Sequence, residues 1–299
     1  MIFVLKIVIY YLFCIFIASY MSLLERKIIA RVQLRLAPTN CGVGGICQPI
    51  ADGIKLFFKR DAFVGHSSNA IIGICVLFTT ALCQLTIIPI AGEIFSIQYG
   101  AILIILTQSI IVFSEVLIGT SSNSKYGIIG GNRAYLQNLG GHLSLMLLML
   151  IVIKMSSGTN LINFISMPRD MSFYLHCIPL AILFFITILI TGSRVPFDFT
   201  EAESELVGGA YVEYGGILFG MIYLTDYLNL LFLSFIFSAL FLSETDFTLL
   251  NIISLFVKTI CIVSIVTVMR AILPRYKQEQ MIRITWKILI PAEIILGIM

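Results

Sequence analysis

The side chains best suited to chemistry in this sequence are carboxylates that crowd one short stretch. Between residues 198 and 213 lie five acids: Asp198, Glu201, Glu203, Glu205 and Glu213. A sixth, Asp226, follows within an apolar run. Like charges at helical i,i+4 spacing repel each other, and such crowding raises the pKa of at least one carboxyl. The stretch therefore favours proton handling near neutral pH. The alternative, a solvated acidic loop, fits poorly with its apolar flanks.

The rest of the chain has the composition of a membrane protein. Of its 299 residues, 59% are hydrophobic and only 12% are charged, and the mean hydropathy is +1.02. The first apolar run lacks a small-residue cleavage site and continues into Glu25, Arg26 and Lys27. It is therefore interpreted as a retained membrane helix and not as a signal peptide. Charges in such a setting are costly and are usually kept for a task.

The order of apolar and polar segments predicts an all-α membrane protein with about eight transmembrane helices, forming a single polytopic domain over residues 1–299. The polar segment 121–133 is expected to be a loop. The last apolar run holds about 14 residues, fewer than a full span requires, and Pro291 and Glu293 interrupt it. The expected spans are 3–24, 69–91, 100–119, 136–154, 176–192, 215–242, 252–273 and 286–299.

A polar segment, residues 25–68, separates the first two spans and contains an amphipathic helix after Pro49. Helical spacing places four apolar side chains on one face and three charged ones on the other. This pattern is typical of a short helix that lies along the membrane surface. The apolar face comprises Ile50, Ile54, Phe57 and Phe58, and the charged face Asp52, Lys55 and Lys59.

The basic residues predict the orientation of the chain. The segments after helices one, three, five and seven carry 15 of the 19 Lys and Arg residues. By the positive-inside rule these segments face the cytoplasm or the mitochondrial matrix. With eight helices, both termini would lie on the opposite side, and the acidic loop, residues 193–214, would lie on the basic side.

The seven cysteines are scattered and include no Cys-x-x-Cys pair. They are interpreted as small buried hydrophobic residues. The sequence therefore predicts that this chain binds no metal, haem or flavin of its own.

Eight short motifs occur in order along the chain and carry a family resemblance. They are Glu25-Arg-Lys27, Gln33-x-Arg35-x-x-Pro38-x-Asn40, Gln48-Pro-x-Ala-Asp52, Ser122-Asn-Ser-Lys-Tyr126, Arg194-x-Pro-Phe-Asp198, Glu201-x-Glu-Ser-Glu-Leu-Val207, Glu213-Tyr214 and Arg270-x-x-x-Pro-Arg-Tyr276. With these motifs the chain resembles the quinone-site membrane subunit of respiratory complex I, the family of NADH:quinone oxidoreductase chain 1 and its bacterial counterpart.

The resemblance implies a subunit of the proton-translocating NADH:ubiquinone reductase that is inactive alone. It would join the membrane arm to the peripheral arm and form the mouth and much of the wall of the ubiquinone cavity. FMN and iron–sulfur clusters would reside on partner subunits. The implied location is the mitochondrial inner membrane or a bacterial plasma membrane, among other complex I subunits and lipids including cardiolipin, with no nucleic acid.

The resemblance also assigns site residues. The acids couple quinone chemistry to proton movement, with Asp198, Glu201 and Glu205 as the interacting group, Glu203 facing outward, and Glu213 and Asp226 continuing the path. Arg194 is expected to pair with one acid of the loop, and Arg270 and Arg275 are expected to be structural. The quinone cavity is expected to be lined by Leu24, Arg26, Arg35, Asp52, Phe57, Phe58, Phe219 and Tyr223. Alternatively, Arg26 and Arg35 would contact lipid headgroups, Asp52 would pair with Lys55 or Lys59, and Phe57 and Phe58 would anchor the surface helix at the membrane interface.

The sequence departs from the family at several positions. The Tyr-Glu pair usual in the fourth helix is Gly141-His142, and a usual glutamate before the Arg-x-Pro-Phe motif is Thr191. An additional acid, Glu115, occurs in the third helix. We expect His142 either to carry a proton or to serve as a packing residue. Glu115 would either replace a lost relay acid or face an accessory subunit.

Two other functions fit parts of the pattern. A membrane subunit of a related hydrogenase would share the acidic loop but would need no quinone tunnel. A secondary ion transporter would use intramembrane carboxylates, but such proteins often show inverted repeats, and none is evident here.

Overall fold

A computed structural model describes residues 2–39, 41–59, 68–88, 98–156, 158–161, 171–200, 203–243 and 249–298. Glu201 and the side chain of Glu203 lie outside the described part, as do the ends of some predicted spans. The described residues form helices joined by turns and contain no strand. The predicted all-α architecture is therefore confirmed.

Eleven α-helices are described, and two of them continue directly into π-helical turns, Ser238–Leu242 and Thr285–Leu289. The helices are α1 Ile2–Val32, α2 Gln48–Phe58, α3 Ser68–Leu85, α4 Gly100–Ser121, α5 Lys125–Ser156, α6 Met171–Thr191, α7 Glu203–Leu206, α8 Gly216–Phe237, α9 Leu249–Ile272, α10 Gln278–Ile284 and α11 Ile290–Ile298.

Within the described ranges, six helices are long and apolar enough to cross a membrane, and a shorter apolar one covers His176–Thr191. The six are Lys6–Val32, Ser68–Leu85, Gly100–Ser121, Lys125–Ser156, Gly216–Leu242 and Ile253–Ile272. Each overlaps a predicted span.

The fourth span differs from the prediction, because α5 begins at Lys125. The segment from Gly130 to Arg133, predicted to be a polar loop, is helical, so that prediction was wrong. Its glycines lie against the backbone of other segments. A Cβ added to Gly130 would lie only 2.4 Å from the backbone nitrogen of Ala210. Close packing explains the glycine-rich sequence better than a turn does.

The last apolar run also differs from the prediction. It is the second half of an unbroken helical segment from residue 278 to residue 298, formed by α10, the π turn Thr285–Leu289 and α11. At 1.5 Å per residue this segment is about 30 Å long, which matches the hydrocarbon thickness of a bilayer.

Helix α8 forms the centre of the bundle. It contacts α1, α2, α3, α6 and α9. Within its membrane-spanning segment, 83% of the apolar stretch is buried. Its C-terminal half reads Asn229-Leu-Leu-Phe-Leu-Ser-Phe-Ile-Phe237, which is apolar on nearly every side. A helix that is hydrophobic all round belongs inside a bundle, and Phe232 and Leu233 are fully buried.

Helices α4 and α5 approach each other closely at two glycines. A Cβ added to Gly119 would lie 2.5 Å from the Cα of Gly131. Small residues at such crossings let membrane helices pack backbone to backbone. This contact holds α5 against α4 at the end of the bundle where the acidic loop lies.

We predict that Gly119→Ala weakens this contact, because one of the two helices must move to admit the methyl group. Overpacking of this kind costs about 1–3 kcal/mol. The measurement is the temperature at which the chain aggregates in detergent extracts, followed by immunoblot. Gly53→Ala in α2 is the matched control, because no heavy atom lies within 4 Å of its added Cβ. Equal midpoints for the two variants would contradict the prediction.

Candidate functional site

A cavity of about 460 Å³ opens where the acidic loop meets α8. Residues from α4, α6, α8, α9 and the loop line it. The polar lining side chains include Glu115, Arg194, Asp198, Tyr223, Asp226, Tyr227, Asn229 and Arg270. Ionisable groups from distant parts of the chain are thus gathered around one space.

Glu25 of α1 anchors one wall of this cavity. Its side chain is 3% exposed and forms ion pairs with Arg194, at 3.3 Å between Nη1 and Oε2, and with Arg270. The Tyr227 hydroxyl donates to the same Oε2 at 2.7 Å. Charge-assisted hydrogen bonds to a buried carboxylate are strong. One carboxylate thus holds two guanidiniums together in this wall.

Three aromatic rings follow one face of α8 at four-residue spacing. Phe219 and Tyr223 are stacked with centroids 6.1 Å apart, and Tyr223 meets Tyr227 edge-on at 4.9 Å. The two tyrosine hydroxyls lie 3.1 Å apart, and the Arg194 guanidinium lies 4.8 Å from the centre of the Tyr227 ring. This aromatic row offers flat apolar surface together with hydroxyl groups, beside a cation.

A buried polar layer between α4, α5 and α8 forms another part of the site. Glu115 is 7% exposed and accepts a hydrogen bond from Asn138 Nδ2 at 2.6 Å. Gln108 Nε2 donates to Asn229 Oδ1 at 2.8 Å. Glu115 and Asn229 both line the cavity. The Glu115 carboxylate therefore faces the interior of the bundle.

His142 lies one helical turn beyond Asn138 on α5. Its Nε2 is 3.0 Å from Ser109 Oγ and 3.2 Å from the Ile105 carbonyl oxygen. His142 is not among the cavity-lining residues. It occupies the same α4–α5 interface as Glu115 but belongs to a separate hydrogen-bonded group.

The structure separates the predicted proton-coupling acids. Asp198 and Asp226 line the cavity, whereas Glu213 is exposed. Glu205 is 56% exposed and forms an ion pair with Arg133 at 2.5 Å. The hydrogen bond from Arg133 lowers the pKa of Glu205 below its ordinary value. Glu205 is therefore an anion on the outer side of the loop at neutral pH.

The predicted quinone residues also divide into two groups. Phe219 and Tyr223 line the cavity, whereas the residues of the 25–68 segment lie around α2. There Arg26 pairs with Asp52 at 3.0 Å, Leu24 is half-buried, and Arg35 is exposed. Phe57 and Phe58 are 71% and 85% exposed, as expected for the apolar face of a surface helix.

Helix α2 lies against α1 and α8. Leu56 approaches Gly220, where an added Cβ would meet its Cδ1 at 3.3 Å. Gly220 immediately follows Phe219, so α2 is held beside the end of the aromatic row. The apolar face of α2 comprises Ile50, Ile54, Phe57 and Phe58, each at least half exposed.

Arg275, predicted to be structural, lies over the Phe199 ring with its guanidinium carbon 5.9 Å from the centroid. The neighbouring Tyr276 ring is 5.6 Å from Phe197, and its backbone nitrogen donates to the Pro196 carbonyl at 3.1 Å. The segment after α9 thus holds the first half of the acidic loop in place.

The backbone of the loop is unusual at residues 207–209. Val207, Gly208 and Gly209 have φ values of 64°, 142° and 58°. Positive φ is costly for a β-branched residue such as valine. Val207 and Gly208 also line the cavity, so this strained segment borders the space in which chemistry would occur.

The sequence did not assign a role to three residues of this site: Glu25, Tyr227 and Asn138. Glu25 carried a weak signal, because it is an acid at the end of a long apolar run. Its partners could not be identified from the sequence, since Arg194 and Arg270 lie 169 and 245 residues away along the chain.

Among the described residues, no group of three or more His, Cys, Asp or Glu side chains could hold a metal ion. The cysteines of the described part are free thiols, and two of them, Cys14 and Cys177, are buried, so the interpretation that all seven are buried was wrong. The expectation that this chain carries no metal or flavin stays a prediction.

We predict that Glu25→Gln strongly destabilises the protein, because Arg194 and Arg270 lose their shared carboxylate. Removing one partner of a buried ion pair costs about 3–5 kcal/mol. The measurement is the thermal aggregation midpoint in detergent extracts. Glu279→Gln, an exposed acid at the start of α10, is the control and should leave the midpoint nearly unchanged. A Glu25→Gln midpoint equal to that of the control would show that the ion pairs contribute little.

The chain is similar to known proteins over nearly its whole length. A sequence model of the NADH dehydrogenase family matches residues 5–299. NADH-ubiquinone oxidoreductase chain 1 of Branchiostoma lanceolatum is 33% identical over 293 residues, covering 97% of this chain and 92% of its own length. The corresponding NADH-quinone oxidoreductase subunit of the bacterium Magnetococcus marinus is 31% identical, covering 95% and 84%. Chain 1 of Lampetra fluviatilis is 34% identical, covering 93% and 88%. These matches confirm the resemblance carried by the motifs, and the chain belongs to the NADH dehydrogenase family.

Proposed function

We propose that this chain is a membrane subunit of NADH:ubiquinone oxidoreductase that forms part of the quinone cavity and couples quinone reduction to proton translocation. A single cavity is lined both by the aromatic row of α8 and by the acids Glu115, Asp198 and Asp226. Quinone contact and proton exchange would therefore occur in the same space.

The cavity suits a quinone headgroup in size and chemistry. Its volume of about 460 Å³ falls within the range of about 300–1,000 Å³ that small-molecule sites occupy. A quinone ring is flat and carries two acceptor oxygens. The Phe219–Tyr223 stack supplies flat apolar surface, while the Arg194 guanidinium supplies donors.

The isoprenoid tail would leave toward the lipid beside α2. Phe219 is 37% exposed and lies at the end of the aromatic row nearest α2. The apolar face of α2 faces away from the protein and suits contact with acyl chains. The Arg26–Asp52 pair, at 3.0 Å, would mark the polar edge of this opening.

The acids would respond to quinone chemistry through charge. Two-electron reduction creates negative charge that is neutralised by two protons. Negative charge close to a carboxylate raises its affinity for protons, and the effect is large where the dielectric constant is low. Asp198 and Asp226 border the cavity and would take up protons first. Glu115, bonded to Asn138, would pass them between α4 and α5.

The remaining features of the proposal follow from the family and from the charge pattern. The chain would cross the inner mitochondrial membrane eight times, or a bacterial plasma membrane, with both termini away from the basic side. The acidic loop would face the peripheral-arm subunits that carry FMN and the iron–sulfur clusters. Adjacent membrane-arm subunits and lipids, including cardiolipin, would cover the apolar outer faces.

We expect Tyr223→Leu to raise the KM for a short-chain quinone, because it removes both a ring of the aromatic row and a hydroxyl. Loss of an aromatic contact costs about 0.5–1.5 kcal/mol, which corresponds to about a 2- to 12-fold higher KM. The assay is NADH:quinone reduction in membranes. Tyr135→Leu on the exposed side of α5 is the control. An unchanged KM for Tyr223→Leu would argue against quinone binding here.

We expect the double variant Glu115→Gln with His142→Ala to abolish proton pumping. In this chain these two groups would replace the relay acids that are absent at Gly141–His142 and Thr191. Pumping is measured as protons moved per NADH oxidised in closed vesicles. Normal pumping together with normal quinone reduction would show that neither group carries protons.

A further inference from the structure

Glu293 is a buried acid that the proposed mechanism does not use. It lies in α11, within the run Ile290-Pro-Ala-Glu-Ile-Ile-Leu296, and its exposure is 0%. Ser144 of α5 donates a hydrogen bond from Oγ to its Oε1. Its other oxygen, Oε2, is buried and has no hydrogen-bond partner among the described residues.

The surroundings of Glu293 do not provide a counter-charge in the described part of the chain. Helix α11 packs against α5 and α6. On α5, the Lys154 ammonium donates to the Gly297 carbonyl at 2.6 Å, and His142 contacts Ser109 of α4. On α6, His176 is exposed. A buried carboxylate without a cation is costly, so this environment stabilises the protonated, neutral carboxyl.

Polar side chains connect this acid with the cavity along one face of α5. Gln137 lies seven residues before Ser144, about 10 Å away on the same face. Its Nε2 donates to the Ile190 carbonyl at 2.7 Å and to Ser193 Oγ at 3.4 Å. Ser193 lines the cavity. The Gln137 Oε1 atom is buried and has no hydrogen-bond partner among the described residues.

A third polar side chain, Thr285, lies between Gln137 and Ser144. A Cβ at Gly140 would meet Thr285 Oγ1 at 3.0 Å, so this hydroxyl lies directly against α5. Thr285 also begins the π turn Thr285–Leu289. Such turns interrupt the regular helical hydrogen bonds and are frequent at functional sites.

We infer that Glu293 is a second proton-binding site, reached from the cavity along the face of α5 that carries Gln137, Gly140 and Ser144. The inference rests on the proposed coupling function. In the step, one proton binds to Oε2 and is later released. Only O–H bonds form and break, and no electron is transferred.

Glu293 also lies close to two departures from the family. The usual acids are absent at Gly141–His142 and at Thr191. A Cβ at Gly141 would lie 3.0 Å from Thr191 Cγ2, so close packing fills the space between these positions. Glu293 reaches the same helix one turn away, at Ser144. It would add an ionisable group to those of Glu115 and His142.

The test compares Glu293→Gln with the matched control Glu279→Gln in closed native vesicles. Glutamine keeps the volume and can still accept the hydrogen bond from Ser144, but it cannot exchange a proton. We expect Glu293→Gln to lower the number of protons moved per electron and to remove a protonated-carboxyl band from the infrared difference spectrum. Glu293→Asp, which keeps the ionisable group, should retain both signals in part.

Unchanged pumping and an unchanged infrared band in Glu293→Gln would overturn the inference. If Glu293→Gln does not assemble, Ser144→Ala serves instead and must shift the band, because it removes the hydrogen bond to Oε1. An unshifted band would likewise overturn the inference. Asp198→Asn, measured alongside, separates the two proposals. If it alone loses pumping, only the role of Glu293 fails, and if neither variant loses pumping, the coupling proposal fails as well.

Discussion

The buried carboxylate of Glu25 is the interaction on which the functional site depends. It binds Arg194 at the start of the acidic loop, Arg270 at the end of α9 and Tyr227 in the middle of α8. Four distant segments therefore meet at one anion. Two desolvated guanidiniums without a carboxylate between them would repel each other strongly. The position of the loop relative to α8 follows from this arrangement, because Arg194 is where the loop begins.

The same arrangement sets the electrostatics of the cavity. The cavity lining carries two arginines, Arg194 and Arg270, together with the acids Asp198 and Asp226. A ligand that becomes negative on reduction would be attracted to the arginines and would at the same time raise the proton affinity of the acids. In the proposed mechanism, binding of the reduced ligand and uptake of protons would be linked by charge. The strained backbone at Val207–Gly209 gives the loop a place where its shape can change.

Helix α5 runs from the acidic loop into the helix bundle and carries polar side chains on two of its faces. One face carries Asn138 and His142 toward α4, and another carries Gln137 and Ser144 toward α6 and the terminal helical segment. Glycines between these polar residues allow neighbouring helices to approach closely. Polar side chains therefore occupy two faces of α5, one beside Glu115 and the other beside Glu293. The buried acids beside α5 lie on α4 and α11, whereas α5 itself contains no Asp or Glu.

The sequence by itself determined the helical membrane architecture, the amphipathic α2 and the family, because hydropathy and ordered motifs are local properties. It also singled out Asp198, Asp226, Phe219 and Tyr223, which share the cavity. Only the tertiary structure decided which acids face inward, since Asp198 lines the cavity while Glu205 pairs with Arg133 on the outer side. The roles of Glu25 and Glu293 arise from contacts 149 to 245 residues apart along the chain. No periodic pattern encodes such pairings, because they depend on how whole helices pack.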